Sequence, residues 1–509
     1  MNKSKNTYWD IFKKDICANK IIFFSSLITA IACFGFTITS FSIGVDDPMR
    51  EYYLYSNGWG SMIQQGRLLH VVFNALTGLV DFIPFLNDFI AVCLFLLSAL
   101  LLAALFQHIA NSKFSTFSVA AFCCIYISYS IITEKFIYNL DVIVTMISYC
   151  CCVLSLMYAY RFVEEKSKIC FLKSIITLIV ALGSYESFIF LYFCGVFGLF
   201  IVQMCINNEK IRFKEFIQKG LQYALILIIS IVIYYSTVAL VQIATNQYGV
   251  FERNNAWKNV SGIFQNFIII TKALIKDFLV LDYFPLLEFF IASVLGAVFF
   301  IVYSIKKRNL ILFISFCGLF AGNLFIHYSC GYVMYRAAQT FCLFIALIAL
   351  IFLQKAQKVN MLKKPLILFV ALIVTLQTAD MNKWFYNDYN RYQKDSFVIN
   401  TIATRLASEF DVSKPVVFVN APQNGYLSNT NRTNQVNGVS MVYWGIDGFS
   451  KQAIYYVFDA YGYDFIKEPT AEQIQQAQKL SENMDCWPNE NCIIETESFI
   501  VVNFNDITQ

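Results

Sequence analysis

The sequence is dominated by long, uninterrupted apolar runs that a soluble core of this size could not bury. Of the 509 residues, 58% are hydrophobic and only 14% are charged, whereas an average soluble protein is about a quarter charged. This composition excludes a soluble enzyme, a disordered chain and a fibrous protein. The runs do not alternate with polar residues, which argues against an outer-membrane barrel. A polytopic α-helical membrane protein remains.

Counting apolar runs of about 17–25 residues predicts eleven transmembrane helices. One long apolar stretch is divided at Tyr185-Glu186, because it exceeds a single crossing. The predicted spans are 21–43, 87–109, 115–133, 140–160, 169–184, 187–206, 221–245, 284–305, 309–328, 334–354 and 364–381.

The orientation of these spans follows from the positions of Lys and Arg, which concentrate in cytoplasmic loops. If the N-terminus is cytoplasmic, the loops on that side of the membrane carry 21 Lys and Arg, and those on the other side carry 8. The sequence therefore predicts a cytoplasmic N-terminus. An odd number of spans then places the C-terminal region on the outer face.

Charge divides the chain into two predicted domains. Residues 1–382 carry 29 Lys and Arg against 19 Asp and Glu, and residues 383–509 carry 9 against 15. The apolar runs stop at the same boundary. We expect a transmembrane domain over 1–382, with long outward loops at 44–86 and 246–283, and a small outward α/β domain over 383–509. In the latter, the patterns predict a strand at 415–420, helices near 449–463 and 470–483, and a hairpin over 493–504.

Two cysteines stand apart from the other fourteen, which lie in or beside the spans. Cys486 and Cys492 both belong to the outward domain, where an oxidising compartment would favour a disulfide between them. A zinc site is the weaker alternative, because no His lies nearby.

Paired carboxylates, Asp46 and Asp47, follow the first predicted span directly. A carboxylate that loses hydration at a membrane boundary becomes a better general base. Asp47 before Pro48 also fits a helix N-cap followed by proline at the first helical position. That structural role leaves Asp46 unexplained. Both are candidate catalytic residues, with Asp46 favoured.

The same loop continues through Trp59 to Arg67 and His70. A helix starting near Gly66 would present Arg67 and His70 on one face. The planar guanidinium of Arg suits a phosphate group, although an Arg here could also extend to lipid headgroups. Arg67 is therefore a candidate ligand for a donor phosphate.

Further polar residues gather at the outward ends of the spans. Each ionisable group inside a span costs about 2.5–3.5 kcal/mol on insertion scales, so their concentration at one face suggests a shared outward cavity. Arg336 is a second candidate phosphate ligand, Glu134-Lys135 could instead be a local ion pair, and 263–276 resembles an interfacial amphipathic helix. The expected cavity residues are Trp59, His70, Glu134, Tyr185, Glu186 and Tyr335, with Tyr138, Asp141, His327 and Tyr332 nearby.

Motifs for nucleotide or metal chemistry are missing from the sequence. There is no Gly-rich phosphate loop and no His-Glu-x-x-His, and the chain has three His in all. We expect no cofactor, and the residues do not demand a divalent metal, although one could bind the carboxylates. An activated substrate or a gradient must then supply the energy.

The pattern Asp46-Asp47, Gly58-Trp59-Gly60 and Gly66-Arg67-Leu68 resembles the serotype-converting O-antigen glucosyltransferases of bacteria and their phages. These belong to the GT-C class of membrane glycosyltransferases. Arg336 is similar to a basic residue that enters a late span in the family. Tyr185-Glu186 stands where the family has a Tyr-Gln pair, which is a departure.

The resemblance implies a GT-C-like enzyme of the bacterial inner membrane. It would move a hexose, typically glucose, from undecaprenyl phosphate to lipopolysaccharide O-antigen on the periplasmic face, with inversion. A flippase and a donor-synthesising transferase would be its partners, and nothing points to nucleic acid. A transporter of lipid-linked glycans remains an alternative, as does another outward-acting enzyme such as a polymerase or an acyltransferase that uses His70 or His327.

Overall fold

The structure, a computed structural model, is 78% helical. It describes residues 7–44, 47–48, 59–78, 83–248, 263–279, 284–333, 335–421, 440–447 and 453–504. Asp46 and residues 422–439 lie outside these ranges.

Thirteen of the described helices belong to the membrane part or lead out of it. They are α1 Lys20–Thr39, α2 Leu68–Thr77, α3 Leu86–Ile109, α4 Thr116–Ser128, α5 Val142–Glu165, α6 Lys168–Leu182, α7 Phe188–Ile206, α8 Phe213–Thr245, α9 Ile263–Leu279, α10 Phe284–Lys307, α11 Leu310–Cys330, α12 Thr340–Ala356 and α13 Lys363–Glu409. Shorter helical segments are Tyr8–Ile11, Phe12–Cys17, Gly60–Gln64, Ser130–Ile132, Thr133–Phe136, Tyr335–Ala337 and Asn360–Leu362.

Within the described ranges, nine helices are long and apolar enough to cross a membrane. The two other predicted spans form α6, with 15 residues, and α12, with 17 residues. The protein is therefore a polytopic helical membrane protein, but the predicted count of eleven depends on these two shorter helices. The helix predicted at 263–276 is present as α9.

The helices differ in how much of their surface the protein itself buries. In the most apolar part of Thr116–Phe136, 89% of the residues are buried, whereas the corresponding share in α8 is 22%. A helix buried on all sides is a central one, and an apolar helix with one buried face has its other face available to lipid. α4 thus lies at the centre of the bundle and α8 at its edge.

The last span continues without a break into the C-terminal region. α13 has 47 residues, which at 1.5 Å per residue is about 70 Å, roughly twice the thickness of a hydrocarbon core. The predicted boundary at 382–383 falls inside this helix. Met381 and Phe385 still pack in the membrane core, and Val398 and Ile399 pack in the C-terminal core.

A three-stranded sheet forms the centre of the C-terminal domain. β1 (Val416–Val419) pairs in parallel with β3 (Ile500–Asn503), which pairs antiparallel with β2 (Ile493–Glu495). The predicted strand and hairpin are thereby confirmed. Helices α14 (Met441–Asp447), α15 (Ala453–Ala460) and α16 (Ala471–Ser481) complete the domain.

Alternation along the strands explains why both faces of this sheet are covered. Val417 and Val501 face a core that contains Ala477 of α16. Phe418 and Val502 face the opposite core, which includes α13 and α15.

The predicted disulfide is wrong for this structure, because Cys486 and Cys492 are both free thiols. Each sulfur has a separate polar neighbour. Arg405 Nη1 donates to Cys492 Sγ at 3.6 Å, and Asn503 Nδ2 donates to Cys486 Sγ at 3.5 Å.

Candidate active site

The first outward loop begins with a very close backbone approach at Gly44. A Cβ added to Gly44 would lie 2.2 Å from the carbonyl oxygen of Ile137, so only glycine lets the two segments touch. Asp47 closes the same turn, because its Oδ2 accepts from the backbone N–H of Gly44 and of Asn139, both at 3.1 Å. Asp47 is completely buried. Its carboxylate therefore joins the loop to the 137–139 segment.

The predicted helix after Gly66 is present, and it places Arg67 and His70 together. Gly66 has φ +69°, and Leu69 N donates to the Gly183 carbonyl at 2.8 Å. Arg67 Nη1 lies 3.0 Å from Asp141 Oδ2, and His70 Nδ1 lies 3.1 Å from Asp141 Oδ1. One carboxylate thus orients both predicted residues.

Two cations share the ring of Tyr185. Lys135 Nζ lies 3.8 Å from the ring centroid and Arg67 Cζ lies 5.5 Å from it. Cations favour the electron-rich face of an aromatic ring, and more strongly where water is excluded. Lys135 is only 7% exposed. The ring of Tyr185 therefore holds two basic side chains at one place.

Arg336 lies beside this group, in the short helical turn Tyr335–Ala337. Its Nη1 donates to the hydroxyl of Tyr138 at 3.0 Å, and its charge interacts with those of Glu134 and Lys135. Arg67 also acts on Lys135. Three basic side chains from distant parts of the sequence therefore form one cluster, which we call the cation cluster: Arg67, Lys135 and Arg336.

Glu134 is an acidic group whose charge interacts with that of Arg336. It is 1% exposed, and its Oε2 has no hydrogen-bond partner among the described residues. Within the described residues, Glu134 and Lys135 do not form the local ion pair considered above. The Lys135 ammonium lies over the ring of Tyr185 instead.

Glu186 marks the open side of the cluster. Its side chain reaches solvent, but the neighbouring protein removes part of the hydration of its carboxyl group. Loss of hydration raises the pKa of Glu186, and a hydrogen bond with Tyr235 and the charge of Arg67 oppose this increase. The carboxyl group can therefore take up a proton more readily than an ordinary glutamate.

Two other predicted cavity residues are placed differently. Tyr335 is 4% exposed and its ring packs against His327, with 5.7 Å between the centroids. Trp59 is half-buried and precedes the short helix Gly60–Gln64. Gln64 of that helix donates to Gln247 at 2.9 Å, so Trp59 lies near the C-terminal end of α8.

Sequence reasoning missed the contacts that bring distant elements to this site. Tyr235 and Tyr234 lie inside the apolar run of α8, yet Tyr235 bonds Glu186 and Tyr234 donates to the Gly66 carbonyl at 3.0 Å. Gln339 donates to Ser187 at 2.8 Å. A tyrosine pair in a lipid-facing run was the only available signal.

A buried network at α13 was also missed, and it holds the start of the first outward loop. Arg391 lies between Asp388 and Asp395, at 3.0 and 3.3 Å, and it donates to the Ile43 carbonyl. Ser42 donates to Asp388 at 2.8 Å. The loop that carries Asp46 and Asp47 is thus fixed to the helix that enters the C-terminal domain.

Chemically, the site combines clustered basic side chains with carboxylates. Among the described residues, no three His, Cys, Asp or Glu side chains are grouped so that they could hold a metal ion. Clustered cations of this kind stabilise an anion, such as a phosphate, in a water-poor setting.

Comparison with known proteins gives one clear match. No curated protein and no solved structure matches the chain. The family model described as Glucosyl transferase GtrII matches residues 35–353, which is more than half of the 509 residues. The match contains every member of the cation cluster and both aspartates of the first outward loop. The chain therefore belongs to the Glucosyl transferase GtrII family and is a glycosyltransferase.

Proposed function

We propose that the protein is an inverting transferase that moves a hexose, with glucose favoured, from polyprenyl phosphate to lipopolysaccharide O-antigen. The reaction would take place on the periplasmic face of the inner membrane. The observation that carries this proposal is the cation cluster of Arg67, Lys135 and Arg336 beside the start of the Asp46-Asp47 loop. A lipid phosphate that leaves a sugar needs such charge at a membrane-embedded site.

In the proposed reaction, a loop carboxylate removes the proton from an acceptor hydroxyl. The hydroxyl oxygen forms a bond to the anomeric carbon, and the bond from that carbon to the phosphate oxygen breaks. The electron pair leaves with the polyprenyl phosphate, whose added negative charge is stabilised by Arg67 and Arg336. Donor, acceptor and proton are all accounted for without a cofactor.

Of the two loop aspartates, we assign the base to Asp46. Asp47 already uses Oδ2 to accept two backbone N–H groups, which suits a residue that positions the loop. Asp46 lies outside the described residues, so this assignment rests on its sequence position and on the placement of its neighbour.

Four other predicted residues contribute to the site in this proposal. Tyr185 supports the cations, Glu134 neutralises part of their charge, and Glu186 is placed to meet the incoming acceptor. His70 is oriented by its contact with Asp141, and its side chain is 1% exposed. That burial weighs against His70 as the base of an acyltransferase.

The decisive experiment follows label from polyprenyl-phosphate [¹⁴C]glucose into a glycan acceptor in isolated membranes. A general base contributes about 10²–10⁴-fold to rate, so we expect Asp46→Asn to lose at least 10²-fold, with similar protein levels. Arg336→Gln should also fail, whereas Arg161→Gln, at an exposed i,i+4 pair with Glu165, should behave like wild type. Full transfer by both Asp46→Asn and Asp47→Asn would refute the assignment. Label that changes leaflet without reaching acceptor would indicate a transporter.

The proposed orientation has its own test. Fused after Gln509, alkaline phosphatase should be active and a fluorescent protein dark, because the first folds only in the periplasm and the second only in the cytoplasm. The opposite pattern would reverse the orientation.

A further inference from the structure

A second charged feature lies at the other end of the helical bundle. A cavity of about 510 Å³ opens between the beginnings of α8 and α11. Its cations are Lys210, Arg212 and Arg308, and its apolar wall includes Phe213, Leu310 and Ile314. Nothing in the proposed transfer reaction uses these residues.

The length of α8 separates this cavity from the cation cluster. α8 begins at Phe213 beside the cavity, and Gln242 near its other end donates to the Ile63 carbonyl at 3.2 Å, close to Arg67. Residues 213 and 242 are about 40 Å apart along a helix with a rise of 1.5 Å per residue. The cavity therefore lies at the opposite boundary of the apolar bundle.

The positive charge of the cavity is not neutralised by the described protein. Lys210, Arg212 and Arg308 are exposed, and none of their side chains makes an ion pair or hydrogen bond within the described part of the chain. By contrast, Lys219, two turns further along α8, lies within 2.8 Å of Glu164 and 3.1 Å of Glu215. The cavity thus attracts an anion.

Two helix starts add to this attraction. Arg212 and Asn309 are the N-cap residues of α8 and α11, and at neither position does the side chain cap the N–H groups of the first turn. Unpaired N–H groups at a helix start favour negative charge.

We propose that this cavity binds the phosphate headgroup of an anionic phospholipid. The three cations and the two helix starts meet the phosphate, while Phe213, Leu310 and Ile314 contact the beginning of the acyl chains. The apolar wall and the position at the end of two membrane helices favour a lipid over free phosphate, because free phosphate gains nothing from an apolar surface. This site is independent of the transfer reaction.

The test measures the melting temperature of the full-length protein in zwitterionic micelles, without a sugar donor. Phosphatidylglycerol should raise the melting temperature by several degrees, since a ligand that binds only the folded state stabilises it. Phosphatidylcholine with the same acyl chains should give less than a third of that shift, and so should inorganic phosphate.

Variants locate the effect. Arg212→Gln/Arg308→Gln should lose most of the phosphatidylglycerol shift. The control Lys168→Gln/Lys364→Gln removes two exposed cations at other helix starts and should keep the shift. Contacts such as Lys166 with Gln222 place the start of α6 at the same end of the bundle.

Three results would overturn the proposal: an equal phosphatidylglycerol shift in the double variant, an equal shift with phosphatidylcholine, or a full shift with inorganic phosphate alone. If the double variant does not fold, Lys210→Gln replaces it, and co-purified phosphatidylglycerol is counted by native mass spectrometry against Lys168→Gln. Equal lipid occupancy in those two would also refute the site. None of these readouts depends on sugar transfer.

Discussion

Arg67 and Asp141 lie 74 residues apart in the sequence, and their side chains meet at 3.0 Å. The same carboxylate reaches His70 with its other oxygen. Arg67 therefore cannot rotate freely away from the cation cluster, and its geometry depends on a residue that does not need to touch substrate. Asp141 is a positioning residue in this view.

Replacing Asp141 with Asn should lower transfer mainly by misplacing Arg67. A hydrogen bond to a charged group contributes about 1.5–3 kcal/mol, and each 1.4 kcal/mol corresponds to about tenfold, so we expect Asp141→Asn to lose about 10- to 100-fold. Initial rates over a range of donor concentrations should show the loss as a higher KM for the donor. The control Glu165→Gln removes a half-exposed carboxylate paired with Arg161. Unchanged donor KM in Asp141→Asn would contradict the positioning role.

A glycine pair tests the close approach at the first outward loop. Gly44→Ala places a Cβ 2.2 Å from the Ile137 carbonyl, whereas Gly35→Ala in α1 meets nothing within 4 Å. Gly44→Ala should therefore lose transfer activity through displacement of Asp47, and Gly35→Ala should be as active as wild type. Within a helix, Ala is favoured over Gly by about 0.5–1 kcal/mol, so Gly35→Ala should melt no lower. Equal activity of the two variants would show that the approach is not needed.

The outward cluster could be predicted from sequence because insertion cost makes charged residues at span ends conspicuous. Glu134, Glu186 and Arg336 are predicted in this way, whereas Arg67 is predicted from its place in a long loop and its spacing to His70. Their partners could not be predicted, since Tyr235 looks like part of an apolar run.

The C-terminal domain gives the same lesson. The short runs of β-branched and aromatic residues in β1 and β3 are a local signal, and both strands are predicted. The continuity of α13 was hidden, because its polar second half resembles a separate segment. Arg391 is 1% exposed, although an arginine is seldom fully buried. Burial of a long charged side chain depends on partners that only the folded chain brings together.

Glu186 should give the protein a pH-dependent stability. Its pKa in the folded state is raised above the ordinary value of 4.5, so the folded state holds the proton over a window in which the unfolded chain has lost it. The stabilisation is then complete below pH 4.5 and is lost as the pH increases through the raised pKa.

The melting temperature measured from pH 4 upward should thus fall more steeply in wild type than in Glu186→Gln, which cannot titrate. Tyr235→Phe removes the hydrogen bond that opposes the shift, and it should extend the window to higher pH. Identical profiles of melting temperature against pH for all three proteins would show that Glu186 does not cause the pH dependence of the stability.

The Arg391 network should be the most sensitive point of the link between the membrane bundle and the C-terminal domain. Removing one partner of a buried ion pair costs about 3–5 kcal/mol, so Arg391→Met, which leaves Asp388 and Asp395 buried without their cation, should melt well below wild type. The control Lys383→Gln removes an exposed cation of the same helix, and surface charges of this kind contribute about 0–1 kcal/mol. Limited proteolysis should also release the C-terminal domain faster in Arg391→Met, because the same side chain anchors Ile43 at the start of the first outward loop. If Arg391→Met and Lys383→Gln melt together and resist proteolysis equally, the network does not hold the two parts of the molecule together.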